Sequence, residues 1–278
     1  MIYLILAIAC SALISIFMKL SEKKRQSETG MLIFNYVACV VFAWVLSPNA
    51  NPFTQTKGLG ITFLIGAISG VLYLVSLVMQ QQNIKRNGVI LSSTFMKLGV
   101  IVSVLIAIVI FGEQPQLKQI IGIVLAVGAI VVFNFDKEGM KGNKNFLMLI
   151  LLLIAGGVCD SMINIFKNVG PAALSDAYLF LNFLFALICA VILLFIRKEK
   201  IGWWDVLFGV LVGIPNYLSS RFVMLALNDL DAVIVYPIYS IATLVVIGVV
   251  GMIAFKEKMT VAKGIGLAIV VGALVLLS

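Results

Sequence analysis

The chain has 278 residues, of which 62% are hydrophobic and only 12% charged, with a mean hydropathy of +1.16. So little charge cannot cover the surface of a soluble domain of this size, and the absence of histidine excludes histidine-based metal sites and histidine acid–base chemistry. A net charge of +8 would suit a nucleic-acid binder, but the basic residues lie in short loops between apolar runs, where membrane orientation accounts for them.

Apolar runs of about 20 residues, separated by short polar breaks, describe an all-α polytopic membrane protein, because about 20 helical residues span the roughly 30 Å hydrocarbon layer. In chain order the spans fall at about 2–20, 30–47, 58–80, 88–111, 116–135, 145–168, 176–196, 203–226, 232–254 and 260–278, ten in all. The first, MIYLILAIACSALISIFMKL, has no basic leader and no convincing cleavage site, and reads as a retained helix. The breaks SEKKRQSETG, PNANPF, DKEGMKGNKN and RKEK are polar or turn-forming, and Pro115 suits a first helical turn. Cys10, Cys39, Cys159 and Cys189 are scattered singly through apolar runs and read as packing residues without metal or disulfide spacing. Alternate loops collect the basic residues (Lys23 to Arg25, Lys85, Arg86, Lys137, Lys141, Lys144, Arg197 to Lys200, Lys256, Lys258), whereas Lys57 stands alone on the other side. The positive-inside rule then puts the first set in the cytoplasm and both termini outside, in a cell (inner) membrane of bacterial type.

The stretch from Asn87 to Glu113 is repeated from Asp231 to Glu257: Phe111 falls on Phe255 and Glu113 on Glu257, an offset of 144 residues (255 − 111). Cys10, Ile14 and Phe17 fall on Cys159, Ile163 and Phe166 at an offset of 149 (159 − 10). Five helices separate the copies, an odd number, so the two halves enter the membrane in opposite directions. The expected architecture is thus two inverted five-helix repeats, 1–137 and 144–278, in one bundle, as secondary transporters are built.

These features resemble the drug/metabolite transporter superfamily, specifically its ten-helix EamA-type members. The resemblance rests on two five-helix repeats whose fourth helices end in Phe111-Gly112-Glu113 and Phe255-Lys256-Glu257, each followed by a glycine-bearing helix. It implies a central cavity lined by helices 1, 3, 4, 6, 8 and 9, with helices 5 and 10 peripheral and available for a homodimer contact. The run FMKLGVIVSVLIAIVIFGE is also similar to the corresponding helix of nucleotide-sugar and triose-phosphate transporters, where a lysine faces substrate phosphate; the match falls on Lys97 alone.

Ionisable side chains inside a membrane cost about 2.5–3.5 kcal/mol at the centre and usually face a cavity or a partner. Lys97 is either a contact for an anionic group or half of an ion pair with Asp160 that fixes packing. Asp160, the one carboxylate well inside a span, is a candidate proton or sodium site. Asp160, Asn164 and Lys167 share one helical face, and Ser11, Ser15 and Lys19 share another. Ser93, Asn216, Tyr217, Tyr236 and Tyr239 complete the candidate binding set, with Gly213 and Pro215 expected to weaken the backbone ladder beside Asn216. Lys19, Lys167 and Arg221 are candidate gates that could equally snorkel to the interface. Glu113 and Glu257 read as structural.

The expected function is secondary active transport of a small polar organic metabolite, such as an amino acid or organic anion, with a proton or sodium as coupling ion and no cofactor or metal. An exchanger of phosphorylated metabolites using Lys97, or a channel or lipid scramblase, is the alternative. A membrane enzyme lacks support, since no histidine, clustered carboxylate pair or nucleophile elbow is present.

Overall fold

Backbone polar groups inside hydrocarbon must be satisfied within the segment, which makes helices the default for apolar runs of this length. The computed structural model follows that rule, and describes residues 1–47, 51–53, 55, 57–111, 116–118, 120–122, 124–125, 128, 143–229, 232–256 and 261–277. Its helices are α1 (Ile2–Ser21), α2 (Glu28–Val45), α3 (Leu59–Asn87), α4 (Val89–Leu98), α5 (Val100–Phe111), α6 (Asn143–Val169), α7 (Ser175–Arg197), α8 (Trp203–Asp229), α9 (Ala232–Ala254) and α10 (Val261–Leu277). Among the described residues six helices are long and apolar enough to cross a membrane, those of α1, α2, α3, α6, α7 and α8. The fifth expected span, 116–135, lies mostly outside the described residues, as do Glu113 and Glu257.

Two expected boundaries are corrected. The fourth span is two helices, α4 and α5, interrupted at Gly99. There the ladder tightens, with the Gly99 N–H donating to the Met96 carbonyl (3.1 Å) and the Val102 N–H to the Gly99 carbonyl (2.8 Å). A Cβ on Gly99 would come within 2.5 Å of the Gly157 amide nitrogen of α6, so the interruption coincides with a backbone-to-backbone crossing only glycines permit. Second, α3 continues well past residue 80, because polar residues that read as loop find partners. Gln80 donates to Ser15 Oγ (3.1 Å), and Asn83 donates to the carbonyls of Met79 (2.9 Å) and Met148 (3.1 Å). α8 stays continuous through Pro215, and the Gly213 carbonyl takes up the Cys39 thiol (3.3 Å).

The helices pack in pairs that interchange when the two halves are swapped: α2 on α8 and α7 on α3, α1 on α8 and α6 on α3, α1 on α9 and α6 on α4. In the absence of a hydrophobic drive between helices in lipid, such contacts depend on close approach. Gly66 and Gly70 seat α3 on α7 beside Leu181 and Asn182, while Gly209 and Gly213 seat α8 on α2 beside Met31 and Asn35. Between these pairs lies the larger apolar core, where Phe166 stacks on Tyr178 with ring centroids 4.4 Å apart. The outer faces carry exposed Leu64, Phe195 and Ile253, as a lipid-facing surface requires. Gly213→Ala is expected to lower the melting temperature in detergent, since overpacking costs about 1–3 kcal/mol. Gly60→Ala, where nothing lies within 4 Å, is the control and is expected to leave it unchanged or raise it; equal effects at both sites would show that the α2–α8 seam is not closely packed.

At the face where α1 ends, the loop before α2 is clamped by the loop before α8. Asp205 is fully buried and accepts from the amides of Gln26 (2.8 Å), Ser27 (3.1 Å) and Gly202 (2.7 Å). Glu199 accepts from the Ser27 hydroxyl and from the amide and hydroxyl of Thr29, each at 3.0 Å for the latter pair. Burial pushes the Glu199 carboxyl up, but these hydrogen bonds and the Arg197 guanidinium prevail and hold it below its ordinary 4.5. A carboxyl held low contributes stability that is complete above 4.5 and lost as pH falls through the folded value. Melting temperature measured against pH should therefore fall on the acid side, and Glu199→Gln should remove part of that slope; an unchanged slope would dismiss the clamp.

Candidate functional site

Lys97 ends the last turn of α4, immediately before the interruption at Gly99. It is 7% exposed, and its Nζ lies 3.8 Å from the centroid of the Tyr239 ring on α9. No hydrogen bond or salt bridge joins it to another described residue, Asp160 included. Two weaker effects hold the ammonium instead. A desolvated cation–π contact supplies about 2 kcal/mol, and the partial negative charge at a helix C-terminus supplies up to about 2 kcal/mol. Together they roughly offset the ~2.5–3.5 kcal/mol insertion cost. The charge is tolerated but left without an acceptor.

A small, partly open cavity lies in front of it. Its walls include Lys97, Ser93 and Met96 of α4, Cys159, Asp160 and Ile163 of α6, and Ser11, Ile14 and Ser15 of α1. α8 contributes Asn216, Ser219, Ser220 and Val223, α3 contributes Tyr73, Ser76, Leu77 and Gln80, and α9 contributes Tyr236 and Tyr239. Lys97 and Asp160, on different halves of the chain, thus share one cavity without pairing.

The walls are held by hydrogen bonds that leave these charges free. Tyr73 Oη donates to Asn216 Oδ1 (2.7 Å) and lies 3.2 Å from Ser220 Oγ. Asn216 Nδ2 donates to Asn35 Oδ1 (3.1 Å), tying α8 to α2. Tyr239 Oη and Ser219 Oγ are 3.0 Å apart, which fixes the ring beneath Lys97. Ser15 Oγ accepts from Gln80 Nε2 (3.1 Å) and Ser93 Oγ (3.3 Å), while Tyr236 Oη donates to the Asp160 carbonyl (3.4 Å) rather than to its carboxylate. Rigid tyrosines with two opposite, unpaired charges can hold a small polar solute by both ends.

Lys97, Asp160, Ser93, Asn216, Tyr236 and Tyr239 are brought together as candidate binding residues. Asn164 and Tyr217 are not in the cavity wall. Asn164 Oδ1 accepts from Asn168 (3.2 Å) one turn further along α6. Tyr217, adjacent to Asn216 but turned by about 100° around the helix, is fully buried against Phe42 and Phe183. The three candidate gates all have partners, Lys19 and Lys167 in the last turns of α1 and α6 and Arg221 further inside α8. Lys19 pairs with Glu22 (2.7 Å), Lys167 donates to the Leu227 carbonyl (2.8 Å), and Arg221 bridges Asp176 (3.1 Å) and Tyr217 Oη (2.6 Å). Sequence reasoning missed Tyr73, Gln80 and Ser219 as wall residues. Gln80 was hidden because a glutamine run reads as a helix end.

Residues 1–135 match the model of the EamA-like transporter family. An uncharacterised protein of Haemophilus influenzae is 24% identical over 277 residues, covering 95% of this chain and 93% of that protein. A protein of known crystal structure superposes with a TM-score of 0.67 at 14% identity, covering 99% of this chain and 94% of that one. Over the part that the family model matches, the chain has an EamA-like fold with several membrane-spanning helices.

Proposed function

We propose that the chain is a secondary transporter, carrying a small polar organic metabolite such as an amino acid or organic anion through the cavity between α4 and α6 by alternating access. The observation that carries this reading is the pair of unpaired charges, Lys97 and Asp160, in one cavity built from both halves. The match of residues 1–135 to a transporter family supports it, and its extent agrees with a first repeat ending near 137. The interchanging helix pairs support inverted repeats at 1–137 and 144–278, a ten-helix bundle in which opposite tilts of the halves expose the cavity to one face or the other. The bilayer is a cell (inner) membrane with both termini outside, a proton or sodium is the coupling ion, and α10 with the fifth span is available for a dimer contact.

A phosphorylated metabolite is the second reading, because the Lys97 ammonium lacks a carboxylate partner. Counterflow in proteoliposomes separates these ideas. Vesicles preloaded with one of a panel of zwitterionic, anionic and phosphorylated solutes should accumulate the labelled solute transiently and saturably, and the class that does so names the substrate. Flux that never saturates would point to a channel and overturn the carrier reading.

A further inference from the structure

Ile163 belongs to two hollows at once. On one side it lines the central cavity, one turn beyond Asp160; on the other it lines a second, smaller hollow with Phe166, Lys167, Met224 and Asn228. α6 and α8 contribute to the walls of both hollows. Along α6 the wall passes from Asp160 through Ile163 to Lys167, and along α8 it passes from Val223 in the first hollow directly to Met224 in the second. Asp160 to Lys167 is seven residues, about 10 Å along the helix axis. The seam between α6 and α8 therefore leads from mid-helix toward the face where they end, with Ile163 shared by both hollows and the Lys167 bond to the Leu227 carbonyl (2.8 Å) crossing it further out.

The opposite end of the cavity is built differently. Ile14 lines the cavity on α1, at the position that the 149-residue offset gives Ile163. One turn beyond it Met18 is fully buried, Ile84 is 1% exposed, and Gln80 is tied to Ser15. Side chains fill the α1–α3 seam at the place where the α6–α8 seam holds a hollow.

We propose that the α6–α8 seam is the route between the central cavity and one membrane face, and that Ile163 is the apolar constriction on that route, with Ile14 its counterpart toward the other face. A short apolar neck expels water and so blocks polar solutes, yet a rotamer change or a slight helix shift opens it. The proposal deepens the transporter reading and takes its biological meaning from it, but the route itself can be tested without a substrate.

Cys159 lines the central cavity and serves as reporter once Cys10, Cys39 and Cys189 are replaced by serine or alanine. A charged, membrane-impermeant methanethiosulfonate is applied to right-side-out and inside-out vesicles. Ser175→Cys in a cysteine-free background marks the second hollow. Cys159 is expected to react from the face at which Ser175→Cys reacts, and not from the other. Ile163→Trp should slow Cys159 about tenfold, equivalent to roughly 1.4 kcal/mol of added barrier, while Ser175→Cys keeps its rate. Ile163→Ala should speed Cys159, and Ile14→Trp should leave the rate from this face alone. Unchanged rates in Ile163→Trp, reaction from the opposite face, or an inert Cys159 beside a reactive Ser175→Cys would each overturn the route. If tryptophan slows both reporters it has disturbed the seam, and Ile163→Ala decides: faster labelling supports the constriction, an unchanged rate refutes it. A route that passes these tests in a protein without saturable counterflow would refute the transporter reading and not the route.

Discussion

Replacing Lys97 by glutamine is expected to weaken binding of the transported solute by about 10- to 100-fold, the loss that goes with removing a charge-assisted hydrogen bond of roughly 1.5–3 kcal/mol. The apo protein, in contrast, should keep its melting temperature or gain a little. Breaking a buried ion pair typically costs about 3–5 kcal/mol, because the abandoned partner stays charged in a poor solvent. Here no carboxylate in direct contact is abandoned: the ammonium rests on the Tyr239 ring and the end of α4, and it acts on Asp160 only through space, without a salt bridge. Thermal shift with wild type and variant makes both comparisons at once. Ligand that binds only the folded state raises the melting temperature by mass action, so an anionic or zwitterionic solute should stabilise wild type and not Lys97→Gln. A large drop in apo stability with ligand response intact would make Lys97 a structural residue and shift attention to Asp160.

Asp160→Asn is expected to uncouple the carrier. Asparagine keeps the shape and two polar atoms of the side chain but cannot release a proton or balance a cation, and the carboxylate faces the cavity without a hydrogen-bond donor among the described residues. Counterflow, which needs only exchange of solute across the membrane, should persist with a changed affinity. Accumulation driven by a pH or sodium gradient should disappear. If the variant still accumulates solute down such a gradient, Asp160 is a binding group alone and the coupling ion enters elsewhere.

Ionisable residues made the site readable before any coordinates. Lys97 and Asp160 stood out because charge inside an apolar run is expensive, and expense of that kind demands a reason. The membrane class, the expected ten apolar spans and the internal offset followed from hydropathy and spacing; six of the described helices are long and apolar enough to cross a membrane. The wall of the cavity was less legible. Asn164 and Tyr217 lie within four residues of true wall residues, yet each turns to a partner on its own side: Asn168 for the first, Arg221 and the aromatic core for the second. A helical stripe predicts which residues share a face, but the rotation of that face toward the cavity is set by neighbouring helices.

The sequence by itself determined the solvent this protein lives in, the helical form of its spans and the two charges at its centre, because each depends on local composition. Only the tertiary structure decided that Lys97 and Asp160 share a cavity without touching, that the fourth span is interrupted at Gly99, and that Gln80 belongs to the cavity wall. Those outcomes depend on which backbones approach closely enough for glycine to be required, and on where a polar side chain finds its partner in another helix. Neither quantity is carried by any single stretch of the chain.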